Sequence, residues 1–301
     1  MTFVRSWLGP PFRRRAKRGL PADGPGAPPR TQRALRWVDP AAGLGLEIGA
    51  LTTPLLTPAL GPVEYADHLP TVGLREKYRD DPNVDIGGIV DVTHVLGDRR
   101  MPAVTGTDRF HHVAASHVIE HAPNLIGWLE DIGSVLRPGG VLALVVPDKR
   151  YTFDVTRRVS TVETMIDAHL RDVRRPTPQQ AFDHFANVVH ADTAALWHDG
   201  KAAGSFRRMH DDAHALFASR QALDAYVDCH CWVFTPASLF DSLRQLAALG
   251  LFRFEVIGFD DTRFGELEFF VSLRAPTGDD AADEAKWLQR VEASIPRLSA
   301  A

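Results

Sequence analysis

The stretch Leu136-Arg137-Pro138-Gly139-Gly140-Val141-Leu142-Ala143-Leu144-Val145-Val146-Pro147 joins a helical pattern to a strand pattern. Before it, apolar side chains recur every three or four residues, which predicts an amphipathic helix with Pro123 in its first turn. The apolar face of this helix is expected to consist of Leu125, Trp128, Leu129, Ile132, Val135 and Leu136. The Pro-Gly-Gly sequence ends this helix. The apolar run over residues 141–146 then predicts a strand covered on both faces, which is typical of a parallel sheet in an α/β fold.

Strand and helix patterns alternate on both sides of this stretch. Upstream, strands are predicted at residues 43–49, 63–67, 84–92 and 110–115, with a short helix at 74–79. Downstream, Thr235-Pro236 begins a helix that ends at Gly250, and alternating apolar residues predict strands at 252–256 and 267–273. Since no helix separates these last two strands, we expect them to be an antiparallel pair.

Residues 151–231 show helical patterns only, and they predict a helical cap inserted after the fifth strand. Helices are expected to begin at residues 160–163, at 177–180 and near Asp211, the first two with capping boxes. Their expected apolar faces are Val162, Met165, Ile166 and Leu170, then Phe182, Phe185 and Val189, then Leu216, Leu223 and Val227. Where the cap rejoins the core, Tyr226, Asp228, His230 and Trp232 are expected to line an acceptor pocket.

The charge distribution separates a basic N-terminal arm from an acidic body. Nine of the 34 Lys and Arg residues lie in residues 1–36, so this stretch carries about +8 and the remaining chain about −12. Because an acidic body is unsuited to binding phosphates, no nucleic-acid partner is expected. Residues 1–30 are expected to form a disordered arm, since Pro and Gly fill residues 21–29. Apolar side chains within residues 1–20 are compatible with weak contact between this arm and a membrane surface.

Length and composition fit one large domain with an insertion. The core is assigned to residues 31–150 and 232–275, the cap to 151–231, and an acidic tail with a short helix to 276–301. Cys229 and Cys231 are too few for a disulfide framework, so a reducing, cytoplasmic setting is expected. No apolar run is long enough to cross a bilayer.

Polar residues follow the predicted strands, where an open α/β sheet binds its ligands. Glu47 and Gly49 end the first strand, Asp67 ends the second, and Ser116-His117-Val118-Ile119-Glu120-His121 follows the fourth. Gly49 has no Cβ to block a ligand, and the Asp67 carboxylate can accept from both hydroxyls of a ribose. A dinucleotide is disfavoured because the pyrophosphate-binding Gly-x-Gly-x-x-Gly pattern is missing. The residues therefore favour a nucleoside cofactor without phosphates, and S-adenosylmethionine is the commonest of these.

The motifs Leu46-Glu47-Ile48-Gly49, Asp67, residues 116–121 and residues 136–142 resemble, in order, those of class I S-adenosylmethionine-dependent methyltransferases, in particular the small-molecule branch with type 11-like domains. The resemblance covers residues 40–150 and 232–275 and implies a Rossmann-like, seven-stranded, mostly parallel sheet with a helical cap insertion. It implies that Glu47, Gly49 and Ala50 line the methionine part of the cofactor and that Asp67 holds the ribose. Asp91 or Val92 would lie near the adenine, and Ser116 and His117 at the transferred methyl. Ala50-Leu51-Thr52 departs from the family's usual second glycine.

The expected reaction is methyl transfer to an oxygen of a small molecule, with a saccharide or glycosylated metabolite as the candidate acceptor. A hydroxyl acceptor needs a base, and the candidates are His117, His121, Asp148 and His230, with His117 favoured because it directly follows the fourth strand. Alternatives are methyl transfer to nitrogen, a non-catalytic cofactor-binding protein with a recruiting basic arm, and a nicotinamide oxidoreductase. No metal is expected, although His210 and His214 have a spacing that suits shared ligation. A homodimer remains open.

Overall fold

The computed structural model describes residues 29–198 and 206–299 of the 301-residue chain. Within them, seven strands form a single sheet in the order β3-β2-β1-β4-β5-β7-β6. The strands are β1 Gly45–Ile48, β2 Val63–Asp67, β3 His94–Val95, β4 Phe110–Ser116, β5 Leu136–Pro147, β6 Glu255–Asp260 and β7 Glu268–Arg274. The first five are parallel, and β7 runs antiparallel to both β5 and β6. The mostly parallel, seven-stranded Rossmann-like fold is therefore confirmed.

Helices cover both faces of the sheet and continue into the cap. They are α1 Arg30–Ala34, α2 Thr71–Lys77, α3 Pro102–Thr105, α4 Leu125–Val135, α5 Val162–Leu170, α6 Pro178–Asn187, α7 Thr193–His198, α8 Asp212–Gln221, α9 Pro236–Ala248, α10 Gly278–Ala282 and α11 Glu284–Ser294. None of the helices within the described ranges has the length and apolarity needed to cross a membrane.

β5 is buried on both faces, as its continuous apolar run predicts. Leu142, Leu144 and Val146 belong to the main core together with α4 and α9. Ala143 and Val145 point to the other face and pack in a second core, which includes residues of α1. The preceding helix is α4, but its N-cap is Asn124, whose side chain accepts from Gly127 N at 2.9 Å. Pro123 therefore precedes the helix and does not lie in its first turn.

Two strand predictions are wrong in position. Residues 84–92 contain a short 3-10 turn, Ile86–Gly88, because Asp85 caps it and two of its three residues are glycines. The third strand is instead the two-residue β3, which pairs with the end of β2. The sixth strand begins at Glu255, so the alternating residues Phe252 and Phe254 precede it, although both are buried. The antiparallel pairing of β6 with β7 is confirmed.

The cap contains the three predicted helices as α5, α6 and α8, and a fourth, α7, that was not predicted. The capping box of α6 forms at Thr177 and Gln180. The one predicted for α5 does not, since Thr161 is the N-cap residue without a side-chain bond and Ser160 Oγ accepts from Val233 N at 2.9 Å. The main core includes Met165 and Phe185, so the cap packs against the sheet domain.

The apolar face predicted for α8 is wrong. Leu216 and Leu223 are 44% and 63% exposed, whereas Ala215 and Ala218 are buried. Small side chains let α8 approach α6 closely, so the larger residues turn toward solvent. In α6, Phe185 is buried as predicted, and Phe182 is 39% exposed.

The chain ends differ from the predicted boundaries in one respect. Arg30, assigned to the arm, begins α1, and the rest of the arm except Pro29 lies outside the described residues. Arg33 on the same helix is 1% exposed and bonds to Asp260 and Glu266 beside β6 and β7. The acidic tail forms α10 and α11, and the buried Trp287 of α11 joins the main core.

Candidate functional site

The site lies where the direction of strand succession reverses in the sheet. β1 pairs with β2 on one side and with β4 on the other, so the connections leaving it diverge. Ligands of open α/β sheets bind at such a switch point, beyond the carboxyl ends of the strands. Glu47 lies near the end of β1, Asp67 ends β2, and Ser116 ends β4. The structure therefore brings together the three polar positions that the sequence singles out.

The loop after β1 is held by its own glutamate. The buried Glu47 carboxylate accepts from Leu55 N at 2.9 Å and from Leu56 N at 2.7 Å. Burial raises the pKa of Glu47 to about 7, and these two backbone donors only partly oppose it. Both Glu47 oxygens are thus engaged with the backbone of the loop.

The turn itself adopts left-handed backbone at two residues. Gly49 has φ +67°, and a Cβ there would lie 2.9 Å from Val118. Leu51 has φ +47°. The buried Ala50 between these two residues does not have a positive φ. Leu51 therefore takes the backbone conformation that a second glycine would favour, so the departure from the family pattern is accommodated at the cost of local strain.

Asp67 faces the same edge with one oxygen already used. Its Oδ1 accepts from His68 N at 2.7 Å and lies 2.5 Å from His68 Nδ1. His68 in turn stacks on Tyr226 of the cap, with ring centroids 5.6 Å apart. This arrangement leaves Asp67 Oδ2 for a ligand hydroxyl and connects the end of β2 to the cap.

Asp91 and Val92 lie in the segment before β3. Asp91 is exposed, and Val92 N donates to Thr71 Oγ1 at 2.8 Å at the start of α2. The adjoining Val90 N donates to Leu51 O at 2.9 Å. The segment is therefore tied to the loop after β1, beside the position predicted for the cofactor's base.

The end of β4 carries a charged cluster. Arg30 Nη2 donates to Ser116 Oγ at 2.7 Å, and Arg30 Nε lies 2.5 Å from Glu268 Oε1. His117 Nε2 lies 2.7 Å from Glu268 Oε2. Although burial opposes ionisation, hydrogen bonds from His117 and Arg30 lower the pKa of Glu268 to about 2. His117 has φ +54°, a strained conformation of the kind that collects at functional sites.

A second polar cluster lies between the core and the cap. Ligand atoms of Glu120, His121 and His230 lie within 4.8 Å of one another. His230 Nδ1 is 2.6 Å from Asp154 Oδ2, and His121 Nδ1 is 3.0 Å from Asp228 Oδ1.

These carboxylates change the charge of one imidazole. Burial disfavours the charged form of His121, but Asp228 outweighs it and raises the pKa of His121 to about 9. His121 is therefore protonated at neutral pH in this arrangement and cannot act there as a base.

Two further predicted residues are placed in structural roles. Asp148 is fully buried, and its oxygens bond to Arg150 and to Thr262 Oγ1, so no lone oxygen is presented to the site. Trp232 is 2% exposed and donates its Nε1–H to Ala122 O, which is packing at the base of the cap. Tyr226 is 42% exposed, and its ring stacks on His68.

Sequence reasoning missed Arg30, Glu268, Glu120 and Asp154 as members of these clusters. Arg30 adjoins the Pro-rich arm and was grouped with it. Glu268 is the first residue of β7, which runs antiparallel to β5. The amino end of β7 therefore lies at the edge formed by the carboxyl ends of the parallel strands. Asp154 had a signal in Arg157, three residues later, with which it bonds at 2.7 Å.

Comparisons with known proteins find distant similarity to solved structures alone. No family model matches the sequence, and no curated protein matches it. Among solved structures, a protein of echinomycin biosynthesis, in which a disulfide bond is converted into a thioacetal group, is 14% identical. The match covers 87% of this chain and 88% of that one, with a TM-score of 0.43.

Two other solved structures are named as methyltransferases. The 1,6-didemethyltoxoflavin-N1-methyltransferase of Burkholderia thailandensis, with bound S-adenosylhomocysteine, is 12% identical, and the match covers 82% of this chain and 76% of that one at a TM-score of 0.41. A putative S-adenosylmethionine-dependent methyltransferase of Listeria monocytogenes is also 12% identical. That match covers 81% of this chain and 97% of the other, with a TM-score of 0.41. These likenesses are distant, so the function proposed below rests on the site.

Proposed function

We propose that this protein is an S-adenosylmethionine-dependent methyltransferase that acts on an oxygen of a small molecule. The observation that carries the proposal is the placement of Gly49, Asp67 and Ser116 around the switch point of the sheet. The cofactor fits these residues in two respects. Gly49 leaves the space that a Cβ would fill, and Asp67 keeps one carboxylate oxygen for a ribose hydroxyl.

The cofactor's amino-acid end fits the cluster at the end of β4. Arg30 and Glu268 bond to each other beside Ser116, and a bound amino-acid end would share this pair, its carboxylate beside the Arg30 guanidinium and its ammonium beside Glu268. When bound, S-adenosylmethionine supplies a sulfonium methyl that passes to the acceptor atom while the carbon–sulfur electron pair stays on sulfur. The protein's contribution is to align the acceptor and remove its proton.

Two imidazoles are oriented to take that proton. Glu268 contacts His117 Nε2 at 2.7 Å, and the other ring nitrogen, Nδ1, lies 3.7 Å from the buried Glu120 carboxylate. Asp154 holds His230 through Nδ1 at 2.6 Å, which leaves Nε2. A carboxylate behind an imidazole fixes its tautomer and stabilises its charged form. We favour His117 because it directly follows β4.

The cap lies over the same edge and supports a small, polar acceptor. Tyr151 stacks on Trp197 of α7 at 3.7 Å between ring centroids, and Trp197 Nε1 donates to Glu266 O at 2.7 Å. Half-buried aromatic rings beside polar groups suit a saccharide or a glycosylated metabolite. An amine acceptor is the second candidate, because the carboxylates at this edge would also bind an ammonium.

The proposal is tested by assaying S-adenosylhomocysteine formation against panels of saccharides, glycosides and amines. We expect turnover with a hydroxylated acceptor, lost in His117→Ala while cofactor binding is kept. Cofactor binding without turnover of any acceptor would instead favour the non-catalytic binding protein. A thermal shift with a nicotinamide dinucleotide and none with S-adenosylmethionine would favour the oxidoreductase.

A further inference from the structure

The Glu120 carboxylate is buried, and no hydrogen bond from a described residue compensates for that burial. Glu120 is 1% exposed, and neither of its side-chain oxygens makes a hydrogen bond within residues 29–198 and 206–299. Its ion pair there is with His117 Nδ1, at 3.7 Å. An isolated buried carboxylate is costly unless a cation or strong donors meet it. The Glu120 oxygens therefore face the imidazoles of His117, His121 and His230 without a hydrogen bond from any described residue.

The two histidines beside Glu120 are oriented as metal-ligating histidines are. Each has a carboxylate at Nδ1: Asp228 behind His121 at 3.0 Å, and Asp154 behind His230 at 2.6 Å. Histidines that ligate metals usually donate their second ring N–H to such a carboxylate, which fixes the tautomer and strengthens the ligand. In His230 the contact with Asp154 leaves Nε2 available for coordination, whereas His121 Nδ1 lies near Asp228 without making a hydrogen bond in the described residues.

Each supporting carboxylate has its own Lys or Arg partner, whereas Glu120 has neither among the described residues. Lys77 Nζ lies 2.8 Å from Asp228, and Arg157 bonds to Asp154 at 2.7 Å. The main chain of Glu120 is fixed as well, since Cys231 N and Trp232 N both donate to its carbonyl oxygen. Among the described residues, Glu120 thus lacks the Lys or Arg partner that each supporting carboxylate has, which leaves its two oxygens for a metal ligand role.

We infer that Glu120, His121 and His230 form a binding site for a divalent transition metal of the zinc class. Two imidazoles and one carboxylate are the ligands of zinc sites that keep a coordination position open for water or substrate. Metal–ligand distances of about 2.0–2.2 Å require the three ligand atoms, now within 4.8 Å, to move together by only about 1 Å.

The site also lies next to the predicted methyl position. Glu120 is the neighbour of His117, which follows β4, while His230 comes from the end of the cap. If the methyltransferase function proposed above holds, the open position of the metal would bind the acceptor oxygen and lower its pKa. Metal binding itself does not depend on that function.

The inference is tested on the full chain, free of an affinity tag and stripped of metal with a chelator. Calorimetric titration with ZnCl₂ is expected to give one equivalent of tight binding. Glu120→Gln and His230→Ala should each weaken it by at least about tenfold. The matched control is His210→Ala, which removes a histidine stacked on His214 in the cap and should leave binding unchanged. Folding is checked by circular dichroism.

A second measurement needs no variant. Titration of the wild-type chain with CoCl₂ should give d–d absorption without a thiolate charge-transfer band, since all three ligands are nitrogen or oxygen. A strong thiolate band would assign the metal to Cys229 or Cys231 and overturn the inference. So would the absence of zinc binding, or binding that Glu120→Gln leaves intact. Titration with S-adenosylmethionine in parallel separates failure of the metal site from failure of the cofactor site.

Discussion

Arg33 joins the first helix to the far end of the sheet, and its removal should be measurable in stability. The guanidinium is 1% exposed, with Nε 2.9 Å from Asp260 and Nη1 2.6 Å from Glu266. It also lies 4.3 Å from the ring centre of Phe270. Removing one partner of a buried ion pair costs about 3–5 kcal/mol, because the remaining charge is left uncompensated.

The expected cost of Arg33→Ala lies at the low end of that range. Asp260 keeps Arg263 at 3.0 Å, and the Glu266 side chain is 25% exposed, so water can compensate part of the loss. A cost of about 3 kcal/mol would lower the melting temperature by roughly 6–12 °C. Arg33→Lys should fall between wild type and alanine, because an ammonium cannot bond both carboxylates in the same geometry.

The assay is thermal unfolding followed by circular dichroism, with Arg36→Ala as the matched control. Arg36 is exposed on the adjoining turn and should change the melting temperature by no more than about 2 °C. Because α1 also carries Arg30, Arg33→Ala should weaken cofactor binding as well. A melting temperature for Arg33→Ala equal to that of the control would refute this account of how α1 is held.

Three further predictions concern the site. Gly49→Ala should weaken S-adenosylmethionine binding and cost about 1–2 kcal/mol of stability, because φ +67° is unfavourable for alanine and its Cβ would lie 2.9 Å from Val118. Calorimetric titration measures the change in binding, and thermal unfolding measures the change in stability. Glu47 has an ordinary pKa of 4.5 that burial raises to about 7, so its stabilising contribution is complete below pH 4.5 and is lost as pH rises through 7. Wild type should therefore lose about 3 kcal/mol relative to Glu47→Gln between pH 4.5 and pH 8 in urea unfolding. His117→Ala should bind S-adenosylhomocysteine with wild-type affinity and lower the rate of its formation by at least about a hundredfold.

Each of these has an outcome that contradicts it. Unchanged affinity and stability in Gly49→Ala would mean that the ligand does not approach this turn. Parallel pH–stability curves for wild type and Glu47→Gln would show that Glu47 ionises normally in the folded chain. Full turnover in His117→Ala would remove His117 as the base and leave His230.

Local patterns in the sequence predict much of the sheet, for reasons visible in particular elements. β5 is buried on both faces, so its apolar run is continuous and unambiguous. β3 is two residues long and exists only because it pairs with Ala66 and Asp67, which no local pattern reveals. The third strand was predicted at residues 84–92, where a turn with two glycines occurs instead.

The site was predictable where it depends on strand ends and not where it depends on distant contacts. Asp67 and Ser116 could be found because ligand positions follow parallel strands. Glu268 begins an antiparallel strand and reaches the same edge from the opposite direction. Likewise, His230 meets Glu120 across 110 residues of chain, so only the tertiary structure shows that they share a cluster.

The central claim is that the switch point of the sheet binds S-adenosylmethionine, and calorimetric titration of the full chain tests it most directly. Wild type should bind S-adenosylmethionine and S-adenosylhomocysteine. Asp67→Ala should bind roughly 30-fold more weakly, for a loss of about 2 kcal/mol in charge-assisted hydrogen bonds. Asp80→Ala, which removes an exposed carboxylate after α2, should bind as wild type does. No binding by wild type, or equal binding by Asp67→Ala, would contradict the claim.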